Sequence, residues 1–281
     1  MRELMNGLML AESPRWHDGR LWFCHWGAGE VIAVDPDGRS ELVARVPVTI
    51  PFSIDWLPDG RLLIVAGSQG VVLRQERDGS LVTHADLRSI ARGWNEIVVD
   101  GRGNLYVNGS DFDFLGGGPF VPGILALVRP DGSVCRVAGD LAFANGMVVT
   151  PDNATLIVAE SFAGKLTAFD IAGDGSLSNR RVWADLGKGG DGICLDAEGA
   201  VWTPVLQGGL DCVRVSEGGR VLQRIELDRF CFACMLGGED GRTLHLLVAD
   251  WRGPHRMEAM LRDRTGRVLT VRAPAPGAGW P

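Results

Sequence analysis

The chain has 281 residues, 46% of them hydrophobic, with 39 glycines and a formal net charge of −7. The acidic balance argues against a nucleic-acid partner, which requires a basic face. No basic run followed by a long apolar stretch opens the chain, so neither secretion nor membrane spanning is expected, and the cytoplasm is the expected compartment.

Turn residues set the organisation. In chain order, Gly19, Gly60, Gly103, Asn153, Gly199 and Gly241 close turns roughly 40–50 residues apart. A second series interleaves: Gly38, Gly79, Gly132, Gly175, Gly219 and Gly266. Glycine and asparagine tolerate the positive φ that hairpin turns need. Short apolar or alternating runs flank the turns, such as 97–99 with 105–107 and 147–149 with 156–159, and read as strands. Two hairpins per period give four strands. Six periods give an all-β chain, a six-bladed β-propeller with four antiparallel strands per blade, occupying 1–281 as a single domain. No stretch carries sustained helical periodicity. The sixth blade is expected to draw its four strands from 233–273, with 4–10 as a further candidate to pair at its outer edge.

The first strand of each blade lines a propeller's channel. One phase of those strands reads Glu12, Phe52, Asn95, Asn145, Asp191 and Ala233. Asn95, Asn145 and Asp191 each lie eight residues before the end of their turn, and Glu12 lies seven before Gly19. Asn-Gly and Asp-Gly pairs also form turns, but Glu12 has no turn role. Two carboxylates brought together at a channel mouth repel and are costly to bury. One divalent cation resolves both problems. Oxygen-only donors favour calcium first, then magnesium or manganese, with zinc possible.

Other signals carry less. Ser68, Ser110 and Ser161 lack a nucleophile-elbow frame. The five histidines show no metal spacing, and only His25, between Cys24 and Trp26, is marked as a candidate pocket residue. The six cysteines read as reduced core residues, Cys231 and Cys234 included. The glycine-rich stretch 187–192 reads as an interblade loop. The sequons at Asn108 and Asn153 carry no weight in a cytosolic protein. The third blade is lengthened by 111–123, which holds Asp113 and several phenylalanines and reads either as a binding loop or as a tolerated insertion.

Four segments in order are similar to the SMP-30/gluconolactonase family, which includes luciferin-regenerating enzyme. They are Glu12-Ser13-Pro14-x-Trp16, Trp94-Asn95-Glu96, Asn145-Gly146 and Asp191-Gly192, each with its following turn. The resemblance implies a six-bladed propeller with one catalytic divalent metal in the channel. It implies Glu12, Asn145 and Asp191 as metal ligands, Asn95 as a contact to metal or substrate, and Asp191 as general base. The reaction implied is hydrolysis of a lactone or ester, with the carbonyl polarised and water attacking.

The chain departs from the family where substrate is met. The family's Arg-x-Asn-Asp stands here as Gly93-Trp94-Asn95-Glu96, without the arginine. Trp16, Phe52, Trp94, Phe143 and Phe162 are large and apolar near the motifs. Of these, Trp16, Phe52, Trp94 and Phe143 join Asn95, Glu96 and Asp113 as the expected substrate contacts, and a pocket holding several of the large residues points to a small molecule less polar than a sugar lactone. Two other readings stand beside hydrolysis: a metal-dependent isomerisation, cyclisation or epoxide opening, and a non-catalytic propeller plugged by a metal.

Overall fold

The computed structural model describes residues 1–47, 50–114, 116–205 and 210–279. It holds six four-stranded antiparallel sheets. Their innermost strands are Ala11–His17, Phe52–Trp56, Gly93–Val99, Ala144–Val149, Cys194–Leu195 and Phe230–Gly237. The expected six-bladed propeller is therefore what the chain forms. Apolar clusters sit between neighbouring blades. One joins Leu63 and Val65 of blade two to Ile97 and Val107 of blade three. Among the described residues no helix is long and apolar enough to cross a membrane.

The turn series has a physical basis. The residues closing the first series, Asn153 among them, have φ between 56° and 82°. An aspartate just before several of them fastens the turn. Asp100 Oδ1 accepts from the Arg102 and Asn104 N–H groups, and Asp196 Oδ1 from those of Glu198 and Ala200. These are Asx turns, repeated because each blade needs the same tight reversal.

The sixth blade differs from expectation. Gly266 closes no turn. It begins the third strand, Gly266–Arg272, and faces Leu8, whose carbonyl oxygen would lie 2.8 Å from a Cβ there. The stretch between the second and third strands forms short helical turns, Pro254–Arg256 and Met257–Met260, rather than a hairpin. The fourth strand comes from the other end of the chain. Arg2–Leu8 pairs antiparallel with Gly266–Arg272. The pairing considered for 4–10 is thus the one that closes the ring, and 233–273 alone does not complete the blade.

Candidate functional site

The inner strands are irregular where the polar phase falls. Pairing shifts register between Glu12 and Arg15, between Trp94 and Ile97, and between Ala144 and Met147. In a regular strand successive side chains point to opposite faces. A bulge breaks that alternation and re-aims side chains. Asn95 and Glu96 consequently both line one cavity although they are adjacent. In blade five the ladder begins only at Cys194, so Asp191 precedes it, and Gly192 bridges to Ala233 of blade six. Gly146 lets blades four and five close together here, since a Cβ would lie 2.5 Å from the Asp191 carbonyl oxygen. Three non-glycine residues at these strand starts hold positive φ: Leu10 at 59°, Ser13 at 51° and Phe143 at 61°. Each such conformation costs about 1–3 kcal/mol, and such strain clusters at functional sites.

Glu12, Glu96, Asn145 and Asp191 form the polar floor, each 6–8% exposed. A chain of hydrogen bonds fixes the carboxamides. Asn95 Nδ2 donates to Asn145 Oδ1 (3.3 Å), Asn145 Nδ2 to Ser161 Oγ (3.3 Å), and Ser161 Oγ to the Gly190 carbonyl (2.7 Å). Ser161 is thus a strut, not a nucleophile. Asn108, fully buried, donates from Nδ2 to the Asn145 carbonyl (2.6 Å) and accepts the Glu96 N–H at Oδ1 (3.2 Å).

The carboxylates differ in their partners. Glu96 faces Arg15, whose Nη2 lies 3.4 Å from Oε2, and it also bonds the Ser13 hydroxyl. Burial raises its pKa, and Arg15 opposes the rise. Glu12 and Asp191 have no basic neighbour among the described residues. Burial first, then the Asp191 charge and Glu96, hold the Glu12 carboxyl well above its usual range, against only the Ser13 N–H. Asp191 is raised by burial and then Glu96, against the Gly192 N–H and the Asn145 side chain. Two buried acids without a counter-charge, beside a carboxamide, fit a hard divalent cation. Among the described residues no three His, Cys, Asp or Glu side chains cluster as a metal site. The residues that could hold such an ion are Glu12 and Asp191, through their carboxylates, and Asn145, through its amide oxygen.

The floor closes a cavity of about 530 Å³. One wall is phenylalanine from blades three and four. Phe143 and Phe162 stack in near-parallel planes with centroids 4.6 Å apart, and Phe112 meets both edge-on. Phe112, Asp113 and Phe114 come from the 111–123 insertion and line the cavity, so that insertion is a wall of the site. Blade six, opposite blade three in a six-membered ring, contributes Phe230, Phe232, Trp251, Pro254 and Met257.

Of the residues singled out in the sequence, Glu12, Asn95, Asn145 and Asp191 come together on the floor, and Trp94, Glu96, Asp113 and Phe143 line the cavity. Trp94 shows little of itself, being 1% exposed with its indole N–H given to the Ala91 carbonyl. Asp113 turns one carboxylate oxygen to the Gly116 N–H. Phe52 and Trp16 do not line the cavity. Phe52 is fully buried in the core between blades one and two, and offers only its carbonyl, to the Trp26 indole. Trp16 lies farther along its strand and stacks on His245 at 5.4 Å. His25 also stays out, accepting the Met9 N–H at Nε2. The pairs from the family-like motifs were legible. Phe230, Phe232 and Trp251 were not singled out, because nothing in their spacing distinguishes them from core.

The residues 10–250 match the family model described as SMP-30/Gluconolactonase/LRE-like region. Regucalcin of Xenopus laevis is 27% identical over 292 residues, covering 96% of this chain and 95% of that protein. A 6-deoxy-6-sulfogluconolactonase of Pseudomonas putida is 29% identical over 152 residues, covering 52% of this chain and 51% of its own. A luciferin-regenerating enzyme of solved structure superposes with TM-score 0.81 at 19% identity, covering 98% of this chain and 95% of its own. The polar ring and the propeller that carries it therefore place this chain in the SMP-30/gluconolactonase/LRE-like family, to which it belongs.

Proposed function

We propose that this protein hydrolyses a lactone or ester whose non-reacting part carries hydrocarbon or aromatic bulk in place of a sugar's hydroxyls. The observation that carries the reading is the floor itself: Glu12 and Asp191, buried without a basic partner, at the base of a cavity walled by aromatic rings. A divalent cation held by Glu12, Asn145 and Asp191, calcium foremost, would supply Lewis-acid polarisation of the carbonyl and charge for the developing oxyanion.

The chain's own residues do the rest. The Asn95 carboxamide, presented by its bulge, donates to a substrate oxygen. The Asp191 carboxylate takes a proton from the attacking water as the water oxygen bonds to the carbonyl carbon. The bond to the ring or ester oxygen then breaks, and the proton passes from Asp191 to that oxygen. Glu96, fixed by Arg15 and Ser13, borders the same space and keeps it acidic.

The walls support a substrate with hydrocarbon where a sugar has hydroxyls. A sulfonated sugar lactone, such as the name of the Pseudomonas putida relative specifies, carries an anion and several hydroxyls. Here no lysine, arginine or histidine lines the cavity among the described residues, and phenylalanines form much of its wall. A panel of lactones and aryl esters, run on purified protein with calcium and with chelator, tests the reading. Opening of an aryl or alkyl lactone, abolished by chelator and placing solvent oxygen in the new acid, is expected. Gluconolactone opened far faster than all of these would overturn this substrate assignment. Turnover without solvent oxygen in the product would favour the non-hydrolytic reading.

A further inference from the structure

We propose that the cavity takes a substrate whose non-reacting end is a cation, an alkyl- or arylammonium group seated against the phenylalanines of blades three and four beside Asp113. The inference rests on the ester-opening reading for where the reacting carbonyl lies, and adds the charge of the rest of the molecule.

The first observation is the sign of the lining. Every charged side chain on the cavity among the described residues is acidic: Glu12, Glu96, Asp113 and Asp191. A divalent ion held there would balance Glu12 and Asp191. Arg15 does not balance the remainder, because it is shared between Glu96 and Asp55, 3.4 Å and 3.9 Å away, and does not line the cavity. Arg92 does not line the cavity; it is 86% exposed and lies 3.5 Å from Asp111. The Asp113 carboxylate has no ion-pair partner among the described residues, and the one hydrogen bond it accepts there, from the Gly116 N–H, is made within its own loop.

The second observation is independent of charge. Asp113 stands between Phe112 and Phe114, which pack with Phe143 and Phe162. A ring face attracts a cation, most strongly one that sheds water easily. Acid alone would serve any cation, and phenylalanine alone any apolar group. The two together select an organic cation. A neutral aromatic substrate gives Asp113 no task, and an anion meets repulsion from every charged group on the wall. The same field suits turnover, since hydrolysis leaves a carboxylate that no basic side chain of the cavity retains.

Three meta-substituted phenols test this: 3-(trimethylammonio)phenol and 3-tert-butylphenol, alike in shape and different in charge, and 3-hydroxybenzoate, which carries the opposite charge. Their binding to the calcium-loaded full chain is measured by calorimetry at low ionic strength, and opening of their acetate esters is measured separately. The trimethylammonio ligand is expected to bind at least about tenfold tighter than the tert-butyl one, equal to about 1.4 kcal/mol, and the carboxylate weakest. Asp113→Asn and Phe162→Leu should each shrink that ratio. Both sites tolerate change, as Asp113 is on an exposed loop and Phe162 is 46% exposed. Equal or tighter binding of the tert-butyl ligand overturns the proposal. A strong cation preference without ester opening upholds it and sinks the hydrolase reading instead.

Discussion

Two pairs of carboxylates are buried near one another in this propeller, and they are treated differently. Asp55 and Glu96 share a guanidinium, and Asp55 also accepts the Trp56 and Val99 N–H groups at 2.8 and 2.7 Å. Glu12 and Asp191 receive only single N–H groups and a carboxamide, and they repel each other. The first pair is a structural cluster that carries its own cation. The second has no cation of its own among the described residues. Burial of an acid is therefore not what marks the site, since both pairs are buried. The lack of an internal counter-charge marks it.

Removing Asp191 tests the second pair most sharply. Asp191→Asn should lower the rate about 10³-fold or more, the loss typical of a missing group that stabilises the transition state. The metal-free variant should unfold no sooner than the parent, because the change removes repulsion with Glu12. Calcium at a hundred times its dissociation constant should stabilise the parent by about 2.7 kcal/mol and the variant far less. Thermal unfolding with and without calcium, beside initial rates, reads all three. An unchanged calcium shift would take Asp191 out of the metal's shell.

The first pair should respond in the opposite way. Arg15→Met leaves Asp55 and Glu96 buried without their cation, a change that costs about 3–5 kcal/mol in comparable clusters. Urea unfolding should show this loss whether or not calcium is present. A loss that calcium restores would mean that Arg15 belongs to the metal site instead.

The division between these pairs was only half legible in the sequence. The repeat revealed the blades because every tight turn demands glycine or asparagine at positive φ, and the polar phase followed from it. Glu96 stood beside Asn95 in the sequence, but its bond to Arg15 did not, because a bulge and an interblade contact join them. Phe52 holds the same phase as Glu12 and was expected at the substrate, yet it sits in core. Its strand pairs without a register shift, so nothing re-aims its side chain. Gly266 resembled a turn because glycine also serves where two backbones approach. The 111–123 loop was readable as an insertion, but which way its phenylalanines face depends on blade four.

A third ionisable group shows another way of burial and extends the comparison beyond the floor. His245 is 2% exposed, stacked on Trp16, with Nδ1 3.2 Å from the Met235 carbonyl. Burial lowers its pKa from 6.5 to about 4, so it stays neutral and needs no counter-charge. Between those values the unfolded chain binds a proton that the folded chain does not. Its stability is thus complete above pH 6.5 and lost as pH falls toward 4, by about 3 kcal/mol at 1.36 kcal/mol per unit. Urea midpoints from pH 7 to 4 should fall more steeply for the parent than for His245→Gln. Parallel curves would show that the carboxylates alone govern acid stability.

Asn108 links Glu96 of the first pair to Asn145, whose side chain bonds Asp191 of the second. Its amide reaches the backbone of Glu96 on one side and of Asn145 on the other. Asn108→Ala leaves a buried N–H and a buried carbonyl without that partner, at a cost of about 1–3 kcal/mol. If the pairs were independent, this cost would add to that of Arg15→Met. Arg15 of the first and Glu12 of the second share a strand and its bulge, so a double-mutant cycle in urea should depart from additivity by at least about 0.5 kcal/mol. The rate should also respond, with kcat falling more than KM rises, because Asn145 would shift relative to Asp191 while the phenylalanine walls stay in place. Strict additivity with an unchanged kcat would mean that the paired cluster only supports the blade, and that the unpaired one is positioned without it.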